Sequence, residues 1–140
     1  MEVFRPLRAV LFAYEMIRLL LLLFLGYFLR PPVSFPWPVY AVPGVLFPLM
    51  TLFLLIRPAD YKAYLPLYIT GKAAALAASL GWLFFSGSGV IASIFLDPKT
   101  VVVTLGAVAV FFLGDLLSAA GAFWLHSKLK ETAAAGEGGL

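Results

Sequence analysis

Four side chains in this sequence carry charge inside long apolar runs: Glu15, Arg18, Lys72 and Asp115. Two acids and two bases can form a neutral ion-pair network, a proton relay or a path for a small ion. Each costs at least about 2.5–3.5 kcal/mol at the centre of a membrane helix, so each needs a partner or water. Other chemistries lack their residues. There is no cysteine, hence no disulfide, thiolate metal site or cysteine nucleophile. The lone His126 cannot build a bis-histidine or His-rich metal site, and its position suits the headgroup level. No G-x-S-x-G or H-E-x-x-H pattern occurs. The sequence therefore names no catalytic residue, metal ligand or cofactor.

The elements that position these charges are set by composition. Hydrophobic residues make up 63% of the 140 and charged residues 12%, against roughly 45–50% and about 25% in soluble domains. Mean hydropathy is +1.01. Such a chain needs lipid as solvent for much of its surface. The net charge of +3 reads as topology signal and contact with anionic headgroups, not as a nucleic-acid footprint.

A crossing takes about 20 mostly apolar residues. Four segments qualify: 9–29, 39–56, 61–85 and 101–125, ended by Arg30-Pro31-Pro32, Arg57-Pro58, Ser86-Gly87-Ser88-Gly89 and the basic run His126–Lys130. They are continuously apolar and too long for barrel strands. The expected fold is an all-α integral membrane protein, a four-transmembrane-helix up-down bundle formed by residues 1–131, with a disordered Ala/Gly-rich tail at 132–140. The amino-terminal run is too long for a signal peptide and contains Glu15 and Arg18, so it reads as a retained helix. Arg5, Arg8, Arg57, Lys62, Lys128 and Lys130 fall on one side, and only Arg30 and Lys99 on the other. The positive-inside bias then puts both termini in the cytoplasm, in a cell (inner or plasma) membrane. Trp37, Trp82 and Trp124 are expected near helix ends, at the interfaces.

Depth brings the charges together. At about 1.5 Å per residue, Arg18, Lys72 and Asp115 lie roughly 13–17 Å from the cytoplasmic face, with Glu15 one turn nearer. Helical phase adds polar stripes: Tyr61, Tyr68, Lys72, Ser79 and Ser86 on helix three, and Thr104, Asp115, Ser118, Ala122 and His126 on helix four. Lipid cannot solvate such stripes, so they face inward. Lys72 and Asp115 are expected to pair across consecutive antiparallel helices; the alternative is Arg18 with Asp115 and Lys72 with Glu15. Gly71, Ala74, Ala75, Ala78 and Gly81, and Gly114, Ser118 and Ala122, permit close helix packing. Pro43 and Pro48 should bend helix two. Residues 89–100 read as the longest loop, lying in the interface or re-entrant.

Size, four spans and a carboxylate in the first span (Glu15) resemble the small multidrug-resistance transporters, while the Pro-rich second span and the extra charges depart from that family. The first functional reading is a small non-enzymatic membrane protein: an accessory, scaffold or anchoring component whose charges fix helix packing. Its partners are the lipid bilayer and a membrane protein or a second copy of itself. The alternative is a small ion- or proton-coupled transporter or channel using Glu15, Arg18, Lys72 and Asp115. An enzyme acting on lipid ranks third.

Overall fold

A computed structural model describes residues 4–28, 40–41, 44–92 and 98–137. The elements are α1 (Arg5–Phe28), α2 (Leu46–Ile56), the single turn α3 (Pro58–Tyr61), α4 (Tyr64–Ala92) and α5 (Pro98–Glu137). No strand occurs among the described residues. Three helical stretches are long and apolar enough to cross a membrane: Arg5–Gly26, Tyr64–Phe85 and Val101–Glu131.

The expected second span differs. Its helix α2 has 11 residues, about 16 Å, or half a hydrocarbon core. Ahead of it, Gly44 N–H donates to the Ala41 carbonyl at 3.0 Å, closing a turn. A Cβ on Gly44 would lie 2.9 Å from that carbonyl oxygen, so the turn needs glycine. The interruption expected near Pro43 or Pro48 falls at this turn, Gly44–Val45, with Pro48 just beyond it. Pro48 is the third helical residue, where the N–H it lacks has no partner within the helix. Pro43 and Trp37 lie outside the described residues.

Two helices overrun their expected ends. Ser86-Gly87-Ser88-Gly89 does not stop α4, which continues to Ala92. Each glycine costs about 1 kcal/mol in a helix, less than exposing backbone N–H and C=O groups to lipid. Trp82 therefore sits well inside α4, packed on apolar neighbours. The loop expected at 89–100 is helical at both margins, and 93–97 lie outside the described residues. Likewise α5 runs to Glu137. The stretch 132–137, expected to be disordered, is helical, and three of its residues are alanine, the best helix former.

The buried faces follow one rule. On α1 they are Arg8, Leu11, Glu15, Arg18 and Leu22; on α4 Leu65, Tyr68, Lys72, Ala75 and Ser79. On α5 they run from Val101 and Thr104 through Val108, Phe111, Asp115, Ser118 and Ala122 to Leu125. Spacings alternate between three and four residues, the seam of left-handed helix packing. The opposite faces carry Leu20, Leu23, Phe84 and Leu117, all exposed.

The start of α1 packs against α5 and against the end of α2. Phe4 packs edge-on against Trp124 at 5.7 Å. Arg8 Nη1 donates to the Leu54 and Leu55 carbonyls at 3.1 and 3.4 Å, satisfying the carboxyl end of α2. Phe53 stacks on Tyr61 at 5.0 Å. So α1 and α4 start where α2 and α5 pass or end, and directions alternate along the chain. An apolar cluster at this end includes Leu11, Met50, Leu54, Leu65 and Leu125. A second, of Leu22, Tyr40, Val108 and Phe111, lies farther along. The charges occupy the layer between the two.

Candidate functional site

The site is built from seam positions on three helices. Glu15 and Arg18 come from α1, Lys72 from α4 and Asp115 from α5, each at most 1% exposed. Lys72 is the hub. Its Nζ lies 2.6 Å from Glu15 Oε1 and 2.5 Å from Asp115 Oδ1. Arg18 takes the rest of Asp115: Nε is 3.1 Å from Oδ1, an ion contact without hydrogen-bond alignment, and Nη2 donates to Oδ2 at 3.4 Å. Both pairings open in the sequence therefore coexist, because Lys72 bridges the two carboxylates.

Tyrosines complete the shell. Tyr68 donates to Glu15 Oε1 at 2.5 Å, and Tyr14 donates to Asp115 Oδ1 at 2.9 Å. Ring faces supply what hydrogen bonds do not. Lys72 Nζ is 4.4 Å from the Phe47 ring centre. The Arg18 guanidinium carbon is 5.8 Å from the rings of Tyr40 and Phe47 and 5.9 Å from Phe111. In a desolvated site such a contact is worth up to about 2 kcal/mol.

Local sequence makes room for the rings. Each of Lys72 and Asp115 follows a glycine. A Cβ on Gly71 would lie 2.8 Å from the Phe47 ring, and one on Gly114 would lie 2.5 Å from the Tyr14 ring. The Gly-Lys and Gly-Asp pairs thus place a charge and the slot for its aromatic neighbour side by side. Elsewhere the small residues are less used: Ala75 is buried, but Ala74 and Ala78 are exposed, and a Cβ on Gly81 would meet nothing within 4 Å.

The other stripe residues divide. Tyr68 joins the ions. Ser118 donates to the Asp115 carbonyl at 3.0 Å, staying on its own helix. Ser79 donates to the Ala75 carbonyl at 2.7 Å, so it accepts from Tyr40 OH at 2.7 Å and ties residue 40 to α4. Thr104 is buried but about 16 Å along α5 from Asp115. His126 is half-buried, and the Ser86 side chain is not among those described. Sequence reasoning missed Tyr14, Tyr40, Phe47 and Phe111. The glycines beside Lys72 and Asp115 were the available signal for two of them.

Chemically, the cluster holds two positive and two negative charges in balance. Glu15 Oε2 and Arg18 Nη1 have no hydrogen-bond partner among the described residues. No group of three or more metal-ligating residues occurs among the described residues. A cavity of about 490 Å³ lies between α1 and the start of α2, lined by Leu19, Leu22, Leu23, Ala41, Gly44 and Val45. Its lining is apolar, and it includes none of the four charges. No protein-family model, curated protein or solved structure matches this chain.

Proposed function

We propose that this chain is a small non-enzymatic membrane protein, an accessory, scaffold or anchoring component of a membrane complex, whose ion cluster locks its helices in one register. The observation that carries this reading is the closure of the cluster. All four charges are buried and each has an opposite charge on another helix. A side chain fixed by two partners is poorly suited to moving ions and well suited to specifying packing. The alternating helix directions support a four-crossing up-down bundle, with α2 in the second crossing. Both termini then lie in the cytoplasm of the cell membrane, as the basic residues require.

Affinity purification of the tagged chain in mild detergent tests the role. A stoichiometric membrane-protein partner is expected. A chain that purifies alone, and passes ions when reconstituted, would overturn it. Reporter fusions test topology: a fusion after Lys130 should report cytoplasm and one within 93–97 the outside.

A second reading, an ion- or proton-coupled transporter, has one specific support: Glu15 Oε2 has no hydrogen-bond partner among the described residues, and a bare carboxylate oxygen can take a proton. On this reading Asp115→Asn leaves the fold intact and abolishes flux in proteoliposomes. On the first reading the same change lowers stability and there is no flux to lose.

A further inference from the structure

The rings around the ion cluster are not equally held. Tyr40, Phe47, Tyr68 and Phe111 are each at most 2% exposed. Each also packs on another ring, Tyr40 on Phe111 at 5.1 Å and Phe47 on Tyr68 at 5.3 Å. Tyr14 is half-buried and has no ring neighbour among the described residues. Yet it touches the ions directly. Its hydroxyl donates to Asp115 Oδ1 at 2.9 Å, and Lys72 Nζ lies 5.2 Å from its ring centre. One side chain thus reaches from the surface of the bundle to two ions that are at most 1% exposed.

The seam between α1 and α5 explains the difference. The two helices meet antiparallel, with Leu7 against Gly121 and Tyr14 against Gly114. A Cβ at Gly121 would stand an ordinary 3.6 Å from Leu7, whereas one at Gly114 would run into the Tyr14 ring at 2.5 Å. Tyr14 therefore lies closer on α5 than Leu7 does, over a residue with no side chain to flank it. The residues beside the pair on the two helices, Val10 and Ile17, and Leu113 and Leu117, are all exposed. What holds the ring inward is one hydrogen bond to Asp115 and the attraction of Lys72 for its face.

We infer that Tyr14 is a gate: when its ring swings outward about the Cα–Cβ bond, the seam between α1 and α5 opens onto Asp115 and admits a small uncharged molecule. The swing is a change of rotamer that breaks one hydrogen bond and no aromatic packing. Opening the cluster at Phe47 or Tyr68 would instead displace a buried ring packed on another. Asp115 is the carboxylate this gate uncovers, because Tyr14 bonds it, while Glu15 is bonded by the buried Tyr68. The groups facing Asp115 are Tyr14 and Arg18 from α1 and Lys72 from α4. The side chains flanking the seam, Ile17, Leu113 and Leu117, are apolar, so the opening suits an uncharged guest and not a hydrated ion. The gate rests on the geometry of the cluster and holds whether or not the protein has the accessory role proposed above.

The test labels carboxyl groups of the full-length protein in detergent with dicyclohexylcarbodiimide, which is small, apolar and uncharged. The protonated carboxyl group adds to the carbodiimide. The product is an N-acylurea on Asp115 or, after attack by the neighbouring Lys72 amine, an amide cross-link between the two, and peptide mass reads both. Labelling of Asp115 should be slow in the native protein and about tenfold or more faster in Tyr14→Ala, which removes the ring and its bond to a charged acceptor. Tyr14→Phe keeps the ring, loses that bond and should fall between. Gly114→Ala pushes the ring aside without altering an ion. It should also speed labelling, and it decides the matter if Tyr14→Ala fails to fold. Glu15 should stay unlabelled throughout. Unchanged labelling of Asp115 in Tyr14→Ala and Gly114→Ala, equal labelling of Glu15, or equal rates with a charged, water-soluble carbodiimide would overturn the gate.

Discussion

The molecule contains two kinds of ion pair. At the cluster, Lys72 and Asp115 meet at 2.5 Å with side chains 0% and 1% exposed. At the end where α2 turns into α4, Arg57 and Asp60 meet at 3.8 Å with side chains 72% and 60% exposed. The charges are alike and the surroundings differ. In water both partners keep their hydration, and the pair gains at most about 1 kcal/mol. In the interior neither ion has water, so each is stable only because the other is there. What the buried pair provides is less net energy than a heavy penalty for any packing that separates its members.

Breaking the cluster should therefore give the largest effect. Lys72→Ala strands Glu15, leaves Asp115 to Arg18 alone and should cost about 3–5 kcal/mol, as should Asp115→Ala, which strands Arg18. Combining the two changes should recover much of the loss, leaving Glu15 opposite Arg18 as the remaining charges. Thermal unfolding in detergent of the two single variants and the double variant measures the coupling. Additive losses, with coupling under about 0.5 kcal/mol, would mean the pair does not hold the helices.

A smaller effect is expected where the cluster depends on shape and not on charge. Gly114→Ala puts a Cβ into the Tyr14 ring, displacing the hydroxyl that donates to Asp115. Overpacking of this kind costs about 1–3 kcal/mol. Gly81→Ala, on α4 with nothing near its Cβ, should instead stabilise by about 0.4–1 kcal/mol through the unfolded chain and helix propensity. The pair of variants in one melting experiment separates ring displacement from helix propensity. A stabilised Gly114→Ala would show that Tyr14 has room to move.

The contrast also explains what the sequence made legible. The cluster was readable because three quantities are nearly free of context: rise per residue, helical phase and the cost of charge in lipid. They put Lys72, Asp115 and Arg18 in one layer on inward faces. The limits of the helices were not readable, because they depend on what surrounds the backbone. Ser86–Gly89 would end a helix in water, where freed N–H and C=O groups are solvated, yet α4 continues through it. The break before α2 is the reverse case. Four prolines at 36, 38, 43 and 48 announced an irregular helix, and the turn at Gly44–Val45 falls between the last two, with Pro48 in the first turn of α2. Phe47 and Tyr14 went unseen since an aromatic residue in an apolar run looks like lipid contact. Only the facing glycine, on another helix, distinguishes a ring that points inward.

The exposed pair supplies the smallest and most diagnostic prediction. Arg57 and Asp60 are three residues apart around the turn α3, at a distance that water and salt screen. In detergent, Arg57→Ala, Asp60→Ala and the double variant should each shift stability by no more than about 0.5 kcal/mol, and their coupling should vanish in high salt. Repeating the cycle in native membranes turns it into a probe of partnership. A turn with no partner keeps the same near-zero coupling, because water still solvates both ions. A turn covered by another protein loses that solvent, and the pair then begins to behave like Lys72 and Asp115. A coupling that rises above about 1 kcal/mol in membranes but not in detergent would thus locate the contact expected of an accessory subunit. Equal and small values in both would leave α3 facing solvent and direct the search for a partner to the exposed apolar surfaces of α4 and α5.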